Sequence, residues 1–187
     1  MAKKITDYTA LTTPAVDDLM EIVDISDNTM SANGTNKKIT RLNLTNNPYK
    51  CSAYANAEQT FTLANVSYTI QLDTENYDTN SNFNTGTYKY TCPVTGYYTV
   101  SAQIKGKNLA AGARLYITVT GDDGFVRNGN DICNVAGGWP AVVFHDDIYR
   151  TAGQTIFLTG VITEAGKGTQ KDAAGQCNWM SIHFFST

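Results

Sequence analysis

FNTGTYKYTCPVTGYYTVSAQIK, residues 83–105, decides how the rest of this chain is read. It divides into a strand, a tight turn and a second, longer strand. Tyr88, Tyr90 and Cys92 alternate with Thr87, Lys89 and Thr91, the period of two that belongs to a sheet with two unlike faces. Pro93-Val94-Thr95-Gly96 interrupts the run: Pro fixes φ and lacks an N–H for the ladder, while Gly accepts a positive φ. Beyond the turn, Tyr98, Val100, Ala102 and Ile104 fall on one face, and Tyr97, Thr99, Ser101 and Gln103 on the other. Such a strand serves a core with its apolar face and a partner surface with its aromatic and hydroxyl face.

Upstream stand Val66-Ser67-Tyr68-Thr69-Ile70-Gln71-Leu72, Tyr77-Asp78 and Phe83-Asn84. Downstream come Pro93, Gly96-Tyr97-Tyr98 and Ala152-Gly153-Gln154-Thr155-Ile156-Phe157-Leu158. In this order the set resembles the globular head of complement-type and tumour-necrosis-factor-like proteins, over about residues 50–187. The resemblance implies an all-β, ten-stranded antiparallel jelly-roll sandwich that assembles as a tight homotrimer. It does not imply complement or cytokine biology, because the same head recurs on bacterial and phage surface proteins. In the related trimers aromatic side chains meet around the three-fold axis, and here that role falls to Tyr97, Tyr98, Tyr116 and Phe184. Tyr suits it, with a large apolar ring and a hydroxyl satisfied at a wet edge.

At 187 residues the chain has room for one full core and an appendage. Charged residues make up 17%, below the roughly 25% of an ordinary domain, so amides and hydroxyls hydrate the surface. A net charge of −3 leaves no electrostatic footprint for nucleic acid. No apolar run approaches a membrane span. Asp7 and several threonines follow Met1-Ala2-Lys3-Lys4 where an apolar h-region would stand, so no export signal is expected. Cys51, Cys92, Cys133 and Cys177 form no CxxC pair, which disfavours zinc and points to small buried thiols.

Residues 1–47 read differently from 48–187, with Asn46-Asn47-Pro48 as the linker. Thr13-Pro14 before Asp17-Asp18 predicts one helical turn. Met20–Ile25 reads as a strand, Asn33-Gly34 as hairpin-turn chemistry and Ile39–Leu44 as the return strand. The pattern of Ile5-Thr6-Asp7, Thr13-Pro14-Ala15, Asp18-Leu19, Ile22-Val23-Asp24 and Gly34 through Thr40 resembles the N-terminal module of many tailed-phage virion proteins. That resemblance implies an arm that attaches a trimer to the particle. Its docking residues would be Ile5, Leu11, Leu19, Met20, Ile22, Val23, Ile25, Lys37, Lys38, Ile39, Leu42 and Leu44.

Within the larger part, Ala113–Val119 and Phe125–Arg127 flank Gly121-Asp122-Asp123-Gly124 as a hairpin. Trp139–Tyr149, Gln154–Thr163 and Asn178–Phe185 supply later strands, and Glu164–Gln176 reads as an exposed loop. His145 and Asp146, as strand neighbours, point to opposite faces and do not converge. His183, between Ile182 and Phe184, is expected to pack or to face a partner copy. The acidic pairs Asp122-Asp123 and Asp146-Asp147 lack calcium-loop spacing. No catalytic residue, metal ligand or cofactor is therefore expected. Trp139, between Gly138 and Pro140, would be the residue to stack on a sugar.

The expectation is a non-enzymatic homotrimeric virion protein, docked on a major capsid protein or another virion protein by its arm. A capsid decoration, or cement, role is favoured, with no chain left over for a fibre shaft. It would sit at the virion surface after assembly in the host cytoplasm. The alternative is a tail-fibre, receptor-binding adhesin that recognises a host surface glycan or protein. Neither nucleic acid nor a membrane is an expected partner.

Overall fold

The computed structural model describes residues 19–24, 35–40, 49–171 and 177–186. The chain divides into two units, Met1–Asn46 and Asn47–Thr187. In the first, β1 (Leu19–Asp24) pairs antiparallel with β2 (Thr35–Thr40), Leu19 opposite Thr40 and Asp24 opposite Thr35. The return strand thus begins earlier than its apolar residues suggest. The ladder is made by backbone groups and accepts the polar run Thr35-Asn36-Lys37-Lys38, which a search for alternating apolar residues passes over. Ile5, Leu11, Ile25, Leu42, Leu44 and the helical turn expected after Thr13 lie outside the described residues.

The second unit has thirteen strands among the described residues, several only two or three residues long. They are β3 (Lys50–Tyr54), β4 (Thr60–Phe61), β5 (Tyr68–Thr69), β6 (Thr74–Asp78), β7 (Phe83–Asn84), β8 (Lys89–Thr91), β9 (Gly96–Lys107), β10 (Arg114–Thr120), β11 (Val126–Ile132), β12 (Ala141–Arg150), β13 (Thr155–Ile162), β14 (Lys167–Thr169) and β15 (Trp179–Ser186). One antiparallel sheet runs β6-β3-β15-β9-β12, with β14 continuing past the end of β15 along β9 and β4 beside it. The other runs β11-β10-β13-β8-β7, and β5 also pairs with β13. The all-β antiparallel sandwich expected from the sequence is the fold.

β9 is central, and its alternation decides the packing. Tyr98, Val100, Ala102 and Ile104 are fully buried, facing Leu115, Ile117 and Val119 of β10 and Ile156 and Leu158 of β13 in one core. At roughly 1.5–3 kcal/mol for each large side chain removed from water, this strand alone anchors much of the sandwich.

The residues behind the resemblance prove to be corner pieces. The Asp78 carboxylate accepts the N–H of Phe83 at 2.7 Å and that of Asn80 at 3.2 Å, turning the chain between β6 and β7. The Tyr98 hydroxyl donates to the Val94 carbonyl at 2.6 Å and ties down the Pro93–Thr95 bend. The Cys92 N–H donates to the Gln154 carbonyl and the Gly153 N–H to the Cys92 carbonyl, both at 2.8 Å, which seats the Ala152-Gly153 turn, with Gly153 at φ 87°.

Two expectations need correction. Tyr88 is not in a strand: it lies at φ 62° in the turn between β7 and β8. The Asn84 side chain accepts the N–H groups of Gly86 and Thr87 and closes that turn, which outcompetes extension of the strand. Glu164–Gln176 is not simply an exposed loop, because Gly168 and Thr169 of β14 are buried against β4 and β9. A two-pair ladder around a glycine leaves no apolar alternation to read.

Candidate functional site: the outward face of the β9 sheet

The residues of β9 that alternate with the core ones face away from the sandwich, and the register lays out their neighbours in rows. At one end Tyr97 stands beside Tyr149 of β12 and Phe185 of β15, with ring centroids 5.2 and 5.9 Å apart. The next row is polar: Asp147, Thr99, His183 and Lys50. It is followed by His145, Ser101, Ser181 and Ser52, with Tyr77 of β6 opposite Ser52. The far end turns apolar again with Val143, Gln103, Trp179 and Tyr54 in register. Trp139 stands just before β12, with the Lys105 ammonium 5.7 Å from its ring centroid.

Exposure marks this face out. Among the described residues eleven large hydrophobic side chains are exposed, and six of them, Tyr77, Tyr97, Trp139, Val143, Tyr149 and Phe185, belong here. A soluble protomer has no reason to gather them on one sheet surface. Its charges are few: Lys50, Lys105 and Asp147 stand among neutral hydroxyls.

Hydroxyl chemistry holds the polar rows in place. Thr99 Oγ1 donates to Asp147 Oδ1 at 2.6 Å, Ser101 Oγ lies 2.7 Å from His145 Nδ1 and Asn76 Nδ2 donates to Ser52 Oγ at 3.1 Å. His183 Nε2 is 3.0 Å from the Tyr77 hydroxyl and 3.4 Å from Ser181 Oγ. Burial, and secondarily the charge of Lys50, pushes the His183 imidazole below its ordinary value. The Ser101–His145 contact has the elements of a nucleophile and a base. Asp147 is committed to Thr99 instead of orienting His145, and the neighbouring N–H groups belong to the β9–β12 ladder. No preorganised donors are left there to receive an oxyanion.

Other polar clusters are structural. Asp146 faces Arg127 at 3.5 Å, away from His145; Asp123 pairs with buried Arg150; Asp122 pairs with Lys89. Cys51, Cys92, Cys133 and Cys177 are buried thiols, and burial pushes the Cys92 thiol up to about 12. No group of three metal-ligating side chains converges among the described residues. A cleft of about 250 Å³ near Glu58 and Lys107 is closed off chemically, since Lys107 bonds Glu58 and Lys167 bonds Glu164 and the Asn108 carbonyl.

Of the four residues expected at a trimer contact, Tyr97 lies on this face. Tyr98 is in the core, and Phe184 turns inward with its ring centroid 5.2 Å from that of Tyr98. Tyr116 is on the other sheet, opposite Asn130 and Val161. Sequence reading missed Tyr77, Val143, Tyr149, Trp179 and Phe185. The signal was present in the alternation of Trp139, Ala141, Val143, His145, Asp147 and Tyr149. Of the arm residues, Leu19, Met20, Ile22 and Val23 are in β1, and Lys37, Lys38 and Ile39 in β2.

The sequence matches no known family and no curated protein. Solved structures do share the architecture. The globular domain of zebrafish complement 1qA protein superposes with a TM-score of 0.52 at 13% identity, over 74% of this chain and 96% of that one. Murine APRIL gives 0.53 at 9%, over 73% and 98%, and the Eiger TNF of S. frugiperda gives 0.50 at 11%, over 74% and 94%. The larger unit is a jelly roll of the complement-head and tumour-necrosis-factor kind. At these identities the likeness concerns the fold alone.

Proposed function

We propose that this chain is a non-enzymatic structural protein that assembles as a homotrimer through the outward face of the β9 sheet and is carried on a phage virion by its N-terminal unit, as a capsid decoration. The observation that carries the reading is the gathering of six exposed large hydrophobic side chains on that one face. Its size fits. Five strands at about 4.8 Å spacing, over Tyr97 to Lys105 at about 3.3 Å per residue, offer roughly 700 Å², the order that each partner brings to a stable interface.

Its charge is compatible as well. A ring of three closes by head-to-tail contacts, in which identical groups meet only about the axis, and the few charges of this face, Lys50, Lys105 and Asp147, stand among neutral hydroxyls. The fold shared with complement and tumour-necrosis-factor heads is compatible with this arrangement. The virion assignment is supported by the resemblance of residues 5–44 to phage N-terminal modules. Three arms on one knob would turn weak single contacts into firm attachment by raising effective concentration.

Counting copies of the chain in purified particles by quantitative mass spectrometry tests the placement. Hundreds per particle are expected of a capsid decoration. A few dozen or fewer would move it to the tail, and none would end the virion reading. One observation favours an adhesin instead: Trp139 is 56% exposed beside a shallow hollow bordered by Asp131, Asn134 and Val135. Binding of the labelled full chain to host cells, lost on Trp139→Ala, would support that alternative.

A further inference from the structure

The chain has two histidines, and both stand in the polar rows at the middle of the outward face, between its aromatic and apolar ends. We propose that the assembly formed through this face is acid-gated: neutral His145 and His183 permit it, and protonation of these two side chains releases it. The inference rests on the self-association reading above.

Neither imidazole has a carboxylate partner among the described residues. His145 contacts Ser101, and His183 contacts the hydroxyls of Tyr77 and Ser181, partners that can satisfy a neutral ring. Asp147, on the same strand face as His145, is taken by Thr99, and Asp146 faces Arg127. The other charged or titratable groups around the two rings are Lys50 on β3, Tyr77 on β6, Tyr97 on β9 and Tyr149 on β12. Imidazole is the side chain whose ordinary value lies between pH 5 and 8, so a change of pH across that range acts on the two rings.

Covering the face with a second copy removes both rings from water, which disfavours the charged form. Lys50 opposite His183 adds to this. The sign follows. Imidazoles that titrate lower when covered than when free contribute to assembly above the ordinary histidine value, and that contribution is lost as pH falls through the lowered one. Association weakens by up to about tenfold per pH unit for each imidazole that must stay neutral.

The experiment is sedimentation velocity of the full chain at pH 8, 7, 6 and 5, with far-UV circular dichroism on each sample. Oligomer at pH 8, folded protomer at pH 5 and recovery on return to pH 8 are expected, with His145→Gln/His183→Gln remaining assembled at pH 5. Oligomer unchanged at pH 5 would overturn the gate, as would a double variant that dissociates like wild type or loss of β signal along with assembly. A folded monomer already at pH 8 would overturn the self-association reading instead, which keeps the two failures distinct. Calorimetry of wild-type dilution at pH 6 in two buffers of different ionisation enthalpy gives a check free of substitutions. Proton uptake on dissociation is expected, and no proton exchange would refute the gate.

Discussion

Arg150 closes β12 with an inward side chain only 2% exposed, and its partners explain how a cation is tolerated there. Nη2 donates to Asp123 Oδ1 at 2.6 Å and to the Thr155 carbonyl at 3.1 Å, Nη1 donates to Asp123 Oδ2 at 3.2 Å, and the guanidinium lies 4.7 Å from the Phe125 ring centroid. The hydrogen bond from Arg150 holds the Asp123 carboxyl below the usual carboxylate range, against burial, which raises it. Asp123→Ala leaves the cation enclosed and unpaired. A loss of about 2 kcal/mol in urea unfolding is predicted, less than the roughly 3–5 kcal/mol of a fully enclosed pair, because water still reaches Asp123. A carboxyl whose value is depressed on folding stabilises above the unfolded value and loses that contribution as pH falls through the folded one. The wild-type midpoint should therefore drop below about pH 4, and the Asp123→Ala curve should be flatter there.

Tyr90 is the opposite case. It is fully buried, its hydroxyl has no hydrogen-bond partner among the described residues, and burial pushes the phenol up. Tyr90→Phe removes an unsatisfied polar atom without opening a cavity, so equal or greater stability is predicted, by up to about 1 kcal/mol. A midpoint clearly below wild type would mean that the hydroxyl is satisfied in solution. At this scale the sequence was informative about burial and silent about partners. The alternation of Tyr98, Val100, Ala102 and Ile104 announced core positions, whereas the Asp123–Arg150 bond joins residues 27 apart through a turn and a strand end that no local pattern links.

Elements were legible where they were long and apolar residues alternated; β11, Val126–Ile132, was read only as Phe125–Arg127 because Asn128-Gly129-Asn130-Asp131 carries no such alternation. β9, β10, β12, β13 and β15 each carry enough alternating residues to be placed from sequence within a few positions. β4, β5, β7 and β14 have two or three residues each, and pairing with a longer neighbour, not their own pattern, makes them strands. β14 shows the cost of such economy. A Cβ on Gly168 would collide with the backbone carbonyl of Gln59, which cannot swing aside while Thr169 N–H donates to that same oxygen at 2.9 Å. Gly168→Ala is predicted to part β14 from β4 at a cost of about 1–3 kcal/mol. Faster amide exchange at Thr169 should accompany it, and a variant as stable and as protected as wild type would contradict the close approach.

At the scale of the molecule, the sandwich buries one face of each sheet and leaves the outward face of the β9 sheet with aromatic residues that no described residue of the second unit covers. Sequence reading anticipated a two-faced β9 yet could place only that strand's own residues, Tyr97, Thr99, Ser101 and Gln103, on the outer surface. The rest of that surface depends on how β12, β15, β3 and β6 line up beside it, and strand order is a property of topology. Sedimentation equilibrium of the purified chain at micromolar concentration and pH 8, beside a Tyr97→Arg/Tyr149→Arg variant, tests the claim most directly. The prediction is one species at three times the protomer mass, and a folded monomer for the variant, whose added cations would be enclosed at the interface without partners. A wild-type chain that is a well-folded monomer under these conditions would contradict it.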